Sequence, residues 1–228
     1  MQEDSKDIDI IKEDETPLEE LKNVDIITAN EDDSNAINII KLEEVHREHI
    51  KKFTCLNENE EFEGFKSKKI RKFKRYSREI DKFFQEEALV EQSKFLNTTH
   101  LFFVDCKLVG FISLCADSIR LNIDERNNEE VPYLNIPAIK IARLAIDAEY
   151  QRQGYGKLLM NFAVKTAFEL RNSLGVKFLT VDCYEHRKKY YEEVFGFKEN
   201  GVQRENRQPD SPLSLRLNID EYLSNLDI

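Results

Sequence analysis

The chain is expected to fold as a mixed α/β (α+β) domain, a mostly antiparallel central sheet with helices on both faces. Three observations lead there. Apolar runs rich in β-branched and aromatic residues alternate with stretches of helical periodicity. Two such runs, Thr98–Val104 and Leu108–Cys115, flank the short turn Asp105-Cys106-Lys107 and read as an antiparallel hairpin. Residues 139–160 then read as strand, polar bend and helix in direct succession. The strand is Ile139–Ile146, the bend carries Gly154 and Gly156, and Leu158, Leu159, Phe162, Ala163, Ala167 and Leu170 share a helical face beyond it. A Gly-containing turn that opens a helix presents unpaired N–H groups at the positive end of the helix dipole, an arrangement that receives phosphate.

The remaining elements follow in order. Residues 1–34 are acidic, with Ile8, Ile10, Ile11, Leu18, Leu21 and Ile26 scattered among the charges. They read as a mobile arm, or as a segment that docks on the body or on a partner. Residues 35–228 read as one domain. Ala36–Leu42 is the first strand, and Glu43–Phe53 has helical spacing through Val45, His49 and Phe53. Residues 54–64 are acidic and loop-like. Residues 66–82 are strongly basic, with Phe65, Ile70, Phe73 and Tyr76 interleaved. This stretch reads either as a phosphate-binding surface or as a solvated helix whose apolar residues pack inward. Ser77 has the character of an N-cap for a helix carrying Ile80, Phe83, Phe84, Ala88 and Leu89. After the hairpin, residues 117–136 read as a polar insertion. Beyond the helix starting near Lys157, Gly175 is the expected stop. Val176–Cys183 is a strand, Glu185–Val194 a short helix ended by Gly196-Phe197, and Leu213–Leu217 a last strand before a terminal helix at about 221–226.

The net charge is −10, but residues 1–45 hold 15 of the acidic residues and only 4 lysines. The body is therefore near neutral, and the overall acidity says little about what the body binds. Cys55, Cys106, Cys115 and Cys183 form no C-x-x-C pair, so neither a zinc site nor a redox pair is signalled, and reduced, partly buried thiols are expected. His46, His49, His100 and His186 show no metal-ligand spacing. No apolar run reaches the roughly 18 residues of a membrane span, and the acidic start has no secretory pattern. A cytoplasmic protein without membrane contact is the expectation.

The element order and two motifs resemble the GNAT superfamily of acetyl-coenzyme-A-dependent N-acetyltransferases over residues 36–218. Arg143-Leu144-Ala145-Ile146 followed by Gln151-Arg152-Gln153-Gly154-Tyr155-Gly156 is similar to that family's pyrophosphate signature, Q/R-x-x-G-x-G/A. Tyr190-Tyr191-Glu192-Glu193-Val194-Phe195-Gly196-Phe197 is similar to its downstream hallmark. The resemblance implies a sheet splayed at the strand before the loop. The backbone of Leu144, Ala145 and Ile146 would pair with the pantetheine arm. The pyrophosphate would sit on residues 151–157, with Gln151, Arg152, Gln153, Gly154, Tyr155, Gly156 and Lys157 as cofactor-binding candidates. Acetyl-CoA is the implied co-substrate, a primary amine the implied acceptor, and no metal is required. A tyrosine would protonate the leaving thiolate. Tyr191 is the first candidate and Tyr190 the second, because Tyr191 stands one residue further from Phe197 than the family pattern has it. Asp182, or a chain of waters, is what the sequence offers as a base.

Phe53-Thr54-Cys55, Ile80–Ala88, Val109–Leu114 and Ile136–Ile139 bring the chain nearest to the GNAT branch that includes toxins acetylating the amino group of charged tRNA. Residues 66–82 would then face tRNA. Residues 56–76 and the acidic arm depart from that pattern. A non-catalytic module that binds coenzyme A or a partner is the third expectation, and a second copy of the chain is a further candidate partner.

Overall fold

A computed structural model of the chain describes residues 37–60, 62–208 and 211–225. Residues 1–34, read above as an acidic arm, lie outside the described residues.

Seven strands form one sheet: β1 (Ile37–Lys41), β2 (Thr98–Val104), β3 (Lys107–Arg120), β4 (Asn135–Ile146), β5 (Phe178–Cys183), β6 (Lys198–Glu199) and β7 (Leu213–Asn218). Their order is β1-β2-β3-β4-β5-β7-β6. Every pairing is antiparallel except β4 with β5. The helices are α1 (Arg47–Ile50), α2 (Ser67–Lys82), α3 (Ala88–Ser93), α4 (Ile123–Asn128), α5 (Tyr155–Leu170), α6 (Glu185–Phe195), α7 (Gly201–Glu205) and α8 (Ile219–Ser224). A π-helical turn, Phe83–Glu87, joins α2 to α3.

The alternation of side chains along each strand divides the core. On one face Ile112, Ile139, Ile141, Leu179, Val181 and Cys183 pack under α5, α6 and α8 through Leu159, Ala163, Tyr191, Phe195 and Tyr222. On the other, Leu101, Phe103, Phe111 and Ala145 pack under α1, α2 and the π turn through Ile50, Phe83 and Phe84. Phe84 stacks on Phe111 at 3.9 Å between ring centres. Lower on that second face, Ile119, Leu121, Ile136, Ala138 and Phe178 form a smaller apolar cluster near α4.

Three sequence expectations change, and two short elements were not anticipated. Ser77 does not start a helix. It lies inside α2, which runs unbroken because Phe73 and Tyr76 on one side of it and Ile80 on the other keep the same stripe facing inward. Residues 117–136, read as a polar insertion, hold regular structure. β3 continues to Arg120, and Asn122 with Glu125 forms a capping box that starts α4, each side chain bonding the other's backbone N–H at 2.8 and 2.9 Å. Gly175 does not end α5. The helix stops at Leu170, and the Arg171 guanidinium binds the carbonyls of Val176 and Lys177 beyond it. The two-residue strand β6 and the short α7 have too few residues to show a period.

α4 is held by a buried ion network. Glu125 accepts from Arg216 Nη1 and from the Gly201 N–H, both at 2.7 Å, and Arg216 is 6% exposed. Burial opposes ionisation of Glu125, but the bonds from Asn122, Gly201 and Arg216 outweigh it and hold its carboxyl below the usual range. A depressed carboxyl stabilises the fold fully above the unfolded-state value near ~4.3, and loses that contribution as pH falls through the lower folded-state value. Glu125→Ala takes from the buried Arg216 its nearest carboxylate and leaves Glu129, 3.9 Å from Nε, as the remaining one. It is expected to destabilise the fold by about 1–3 kcal/mol at neutral pH, read as a fall in thermal midpoint. The difference from the parent should narrow as the pH drops below about 4.

Candidate active site

The site begins where β4 leaves β5. The two strands share four rungs, from Ala138 opposite Phe178 to Ile141 opposite Val181. Beyond Ile141, β4 pairs with β3 alone and β5 with β7 alone. A bulge lies at the parting: Leu114 faces Ile141 and Ser113 faces Arg143, so Ala142 has no partner across the strand. From Ala142 to Ile146 one edge of β4 therefore has no partner strand; Arg143 and Gln151 side chains bond the Ala142 and Ile146 carbonyls, and an extended ligand bearing amides can pair with the main chain between them.

Gly110 brings β3 against this segment. A Cβ at that position would lie 2.7 Å from both the Ala145 carbonyl oxygen and Ile146 Cδ1. The main-chain oxygen cannot yield without moving β4.

At the end of β4 the chain enters the loop. Asp147 caps a short turn by accepting from the Glu149 N–H at 3.0 Å, and also accepts from the Thr54 N–H at 3.2 Å. Gln151 Nε2 donates to the carbonyls of Cys55 (2.8 Å) and Ile146 (3.1 Å), and Gln153 Nε2 donates to Glu149 (3.0 Å). Arg152 and Gly154 take left-handed backbone, φ +62° and +91°. Tyr155 then opens α5, a sixteen-residue helix with no side-chain cap at Gly154. The Lys157 N–H turns back to the Gly154 carbonyl at 2.9 Å, while the N–H groups of Tyr155 and Gly156 bond no described residue at the positive end of the dipole, and Arg152 and Lys157 are exposed beside them.

Of the residues the sequence singled out, Leu144, Ala145 and Ile146 thus lie on the open edge of β4. Arg152, Gly154, Gly156 and Lys157 lie at the helix mouth. Gln151 and Gln153 spend their side chains bracing the loop, and Tyr155 packs on Phe102 and Tyr150.

The two tyrosines of α6 point apart, as neighbours about 100° apart on a helix must. Tyr191 is 9% exposed and packs against Phe195 and Phe197 in the core. Tyr190 is 41% exposed and turns toward the loop, where a Cβ on Gly156 would lie 3.1 Å from its hydroxyl. Burial pushes both phenols up from their ordinary value, more strongly for Tyr191. Gly196, at φ +76°, ends the helix so that the Phe197 N–H reaches back to the Tyr191 carbonyl at 3.1 Å.

A second set of residues was visible in the sequence only as segments of the family resemblance, with no role attached. Thr54 and Cys55 bridge the loop to α2: Asp81 accepts from Thr54 Oγ1 and from the Cys55 N–H, both at 2.7 Å, and the Ala148 N–H donates to Thr54 at 2.8 Å. The Cys55 thiol points to the Ser77 carbonyl, and burial raises its pKa, so it stays a thiol. Tyr76 of α2 stacks on Tyr184 at 3.6 Å, and Arg143 lies over the Phe83 ring at 5.0 Å.

The acetyltransferase (GNAT) family model matches residues 66–197, more than half of the chain. The chain belongs to the GNAT acetyltransferase family. Solved structures agree in fold. A tyrosine-to-phenylalanine mutant of KacT superimposes with a TM-score of 0.62 at 17% identity, over 83% of this chain and 98% of that one. AtaT complexed with acetyl-methionyl-tRNAfMet gives 0.62 at 15%, over 85% and 100%. AtaTR bound with acetyl-CoA gives 0.58 at 17%, over 84% and 98%. Among the described residues no helix is long and apolar enough to cross a membrane.

Gly110→Ala is expected to displace the open edge of β4. It should lower the thermal midpoint and weaken acetyl-CoA binding together, each measurable on the same preparation by calorimetry. Unchanged coenzyme affinity would detach this edge from coenzyme binding.

Proposed function

We propose that the chain transfers the acetyl group of acetyl-CoA directly to a primary amine, with Tyr190 as the proton donor to the departing thiolate. The observation that carries the reading is the fork between β4 and β5, opening beside an uncapped helix N-terminus. The fork offers unpaired backbone to an amide-bearing arm. The helix mouth offers N–H groups, Arg152 and Lys157 to a pyrophosphate. An anion at a helix N-terminus gains about 0.3–1 kcal/mol from the dipole, up to ~2 where partly buried, and the two basic side chains add to that.

The amine, having lost its extra proton to water, forms a bond from nitrogen to the thioester carbonyl carbon; the carbon–sulfur bond breaks, the nitrogen's second proton passes to water, and the sulfur receives one from a donor that solvent reprotonates. Tyr190 suits the last role on two counts. Its hydroxyl lies at the loop that would hold the coenzyme, and its raised phenol pKa keeps it protonated at neutral pH. A phenol at or above about 10 can still protonate a thiolate as the carbon–sulfur bond lengthens and the sulfur's basicity rises. Tyr191 is the alternative donor. Its burial favours a packing role.

A second reading concerns the acceptor. Most cations of α2 are already paired: Lys69 with Glu185, Lys74 and Arg78 with Glu58, Arg75 with Glu79 and Lys82 with Glu87. Lys66, Lys68 and Arg71 are exposed and make no ion pair among the described residues. They form a small cationic patch suited to phosphates. An aminoacyl-tRNA acceptor, as in the AtaT complex, would draw on it.

Thiol release from acetyl-CoA with a panel of primary amines tests the activity. Absence of release, with coenzyme binding intact, would leave a binding module. Tyr190→Phe should lower kcat by about 10²–10⁴-fold with acetyl-CoA affinity within about twofold of the parent, whereas Tyr191→Phe should act through stability. The opposite result would make Tyr191 the donor. For the tRNA reading, Lys66, Lys68 and Arg71 changed together to Ala should reduce the salt slope of tRNA binding by about 2–3. An unchanged slope would remove α2 from RNA contact.

A further inference from the structure

On the α2 face of the sheet an ion pair flanks the last rung that β4 and β5 share. Lys140 precedes that rung on β4, and Asp182 follows it on β5. Lys140 Nζ stands 2.5 Å from Asp182 Oδ2 across the gap. Asp182 is thus the first residue of β5 inside the fork. Strand alternation turns it away from Val181 and Cys183, which lie in the core under α5 and α6. Lys140 likewise turns away from Ile139 and Ile141.

The coenzyme-side features lie on the other face. The mouth of α5 and the Tyr190 hydroxyl belong to the helices that cover Val181 and Cys183. An acceptor must reach the thioester from the side its coenzyme does not fill, which is the face that carries Asp182. The floor there is open and polar. Asp182 is 43% exposed and Lys140 31%. Asp117 of β3 is engaged, accepting from Thr180 Oγ1 at 2.6 Å. Arg143 follows the bulge, donates to the Ala142 carbonyl at 2.7 Å and lies over Phe83. Asp182 Oδ1 makes no hydrogen bond to a described residue.

A primary alkylamine in solution is largely an ammonium at neutral pH, since its pKa lies near that of lysine, about 10. It needs a carboxylate at the place where its nitrogen must wait. We infer that Asp182 is the acceptor-binding residue, holding the incoming amine as an ammonium in the fork, and that Lys140 is the positioning residue that fixes the Asp182 rotamer and leaves Oδ1 free. This rests on the acetyltransferase reading above and adds the acceptor class: a cationic primary amine, approaching from the α2 face. An ion pair this exposed contributes little to stability by itself, which leaves its placement at the fork without a structural purpose.

The test uses the full chain, acetyl-CoA, and three acceptor probes: a short peptide with a free N-terminus, an amino-acid amide and a polyamine. With the best of these, Asp182→Asn should raise the amine KM about tenfold or more while acetyl-CoA affinity by calorimetry stays within about twofold. Asp182→Glu should recover part of the loss. The exchanged pair, Lys140→Asp with Asp182→Lys, restores a salt bridge of reversed direction and should remain as impaired as Asp182→Asn. Recovery of the parental KM by the exchanged pair, or an unchanged KM in Asp182→Asn, overturns the assignment and leaves the acetyltransferase reading standing. A parent that releases no thiol with any probe overturns both.

Discussion

The parting of β4 from β5 after four rungs governs the rest of the molecule. A strand in the middle of a sheet satisfies its backbone on both sides. Here the segment Ala142–Ile146 gives up one side while remaining in the centre of a seven-stranded sheet. Unpaired main-chain N–H and C=O groups in such a place call for water or a ligand. The bulge at Ala142 makes the parting abrupt, because it turns β4 out of register with its neighbour within one residue. Apolar contacts anchor both arms of the fork. Ala145 packs under the π turn on one face, while Leu144 and Ile146 of β4 and Val181 and Cys183 of β5 pack against the cluster under α5 and α6 on the other.

The halves of the site are joined by a strap that crosses the chain. Thr54 and Cys55 bind Asp81 on α2 on one side, and Asp147, Ala148 and Gln151 of the loop after β4 on the other. The bonds of Cys55 are partly buried and those of Thr54 exposed, and each reaches a partner from a different part of the fold. The loop's backbone, including the strained residue Arg152 at φ +62°, is held by these long-range bonds and not by its own sequence alone.

This explains what the sequence could and could not reveal. The loop and α5 were legible because their requirements are local: a glycine where φ is positive, small residues at the helix mouth, and an apolar stripe of period 3.6 behind them. The hairpin at Asp105-Cys106 was legible for the same reason, both residues adopting the left-handed backbone that a two-residue turn demands. The strap was not, because its partners lie 27 and 93 residues apart and nothing near Thr54 names them. The Asn122–Glu125 capping box was present in the sequence, but the helix it starts has six residues, too short for a periodic signal. The tyrosines of α6 were visible as a pair, yet which one faces the loop depends on how the helix is rotated. Phe195 and Phe197 set that rotation by drawing Tyr191 into the core, and this leaves Tyr190 at the surface of the fork.

The contact between α2 and α6 holds α2 over one face of the fork. Its ionic link, Lys69 to Glu185, is half-exposed on both sides and so is weak and screened by salt. Its aromatic links are not. Tyr76 on Tyr184, and Phe73 with Phe62 around His186, form a buried stack, with His186 only 4.1 Å from Phe73 between ring centres. Burial, helped by Arg187, lowers the His186 pKa to about 3, so the ring stays neutral across the ordinary pH range and adds no charge to this apolar seam. The seam that carries α2 over the fork is consequently insensitive to salt and to pH near neutrality, while the cationic surface of α2 remains responsive to both salt and anions. Geometry at the fork and charge at its rim are thereby controlled by separate interactions, and a ligand that neutralises the outer face of α2 can bind without loosening the wall of the site beneath it.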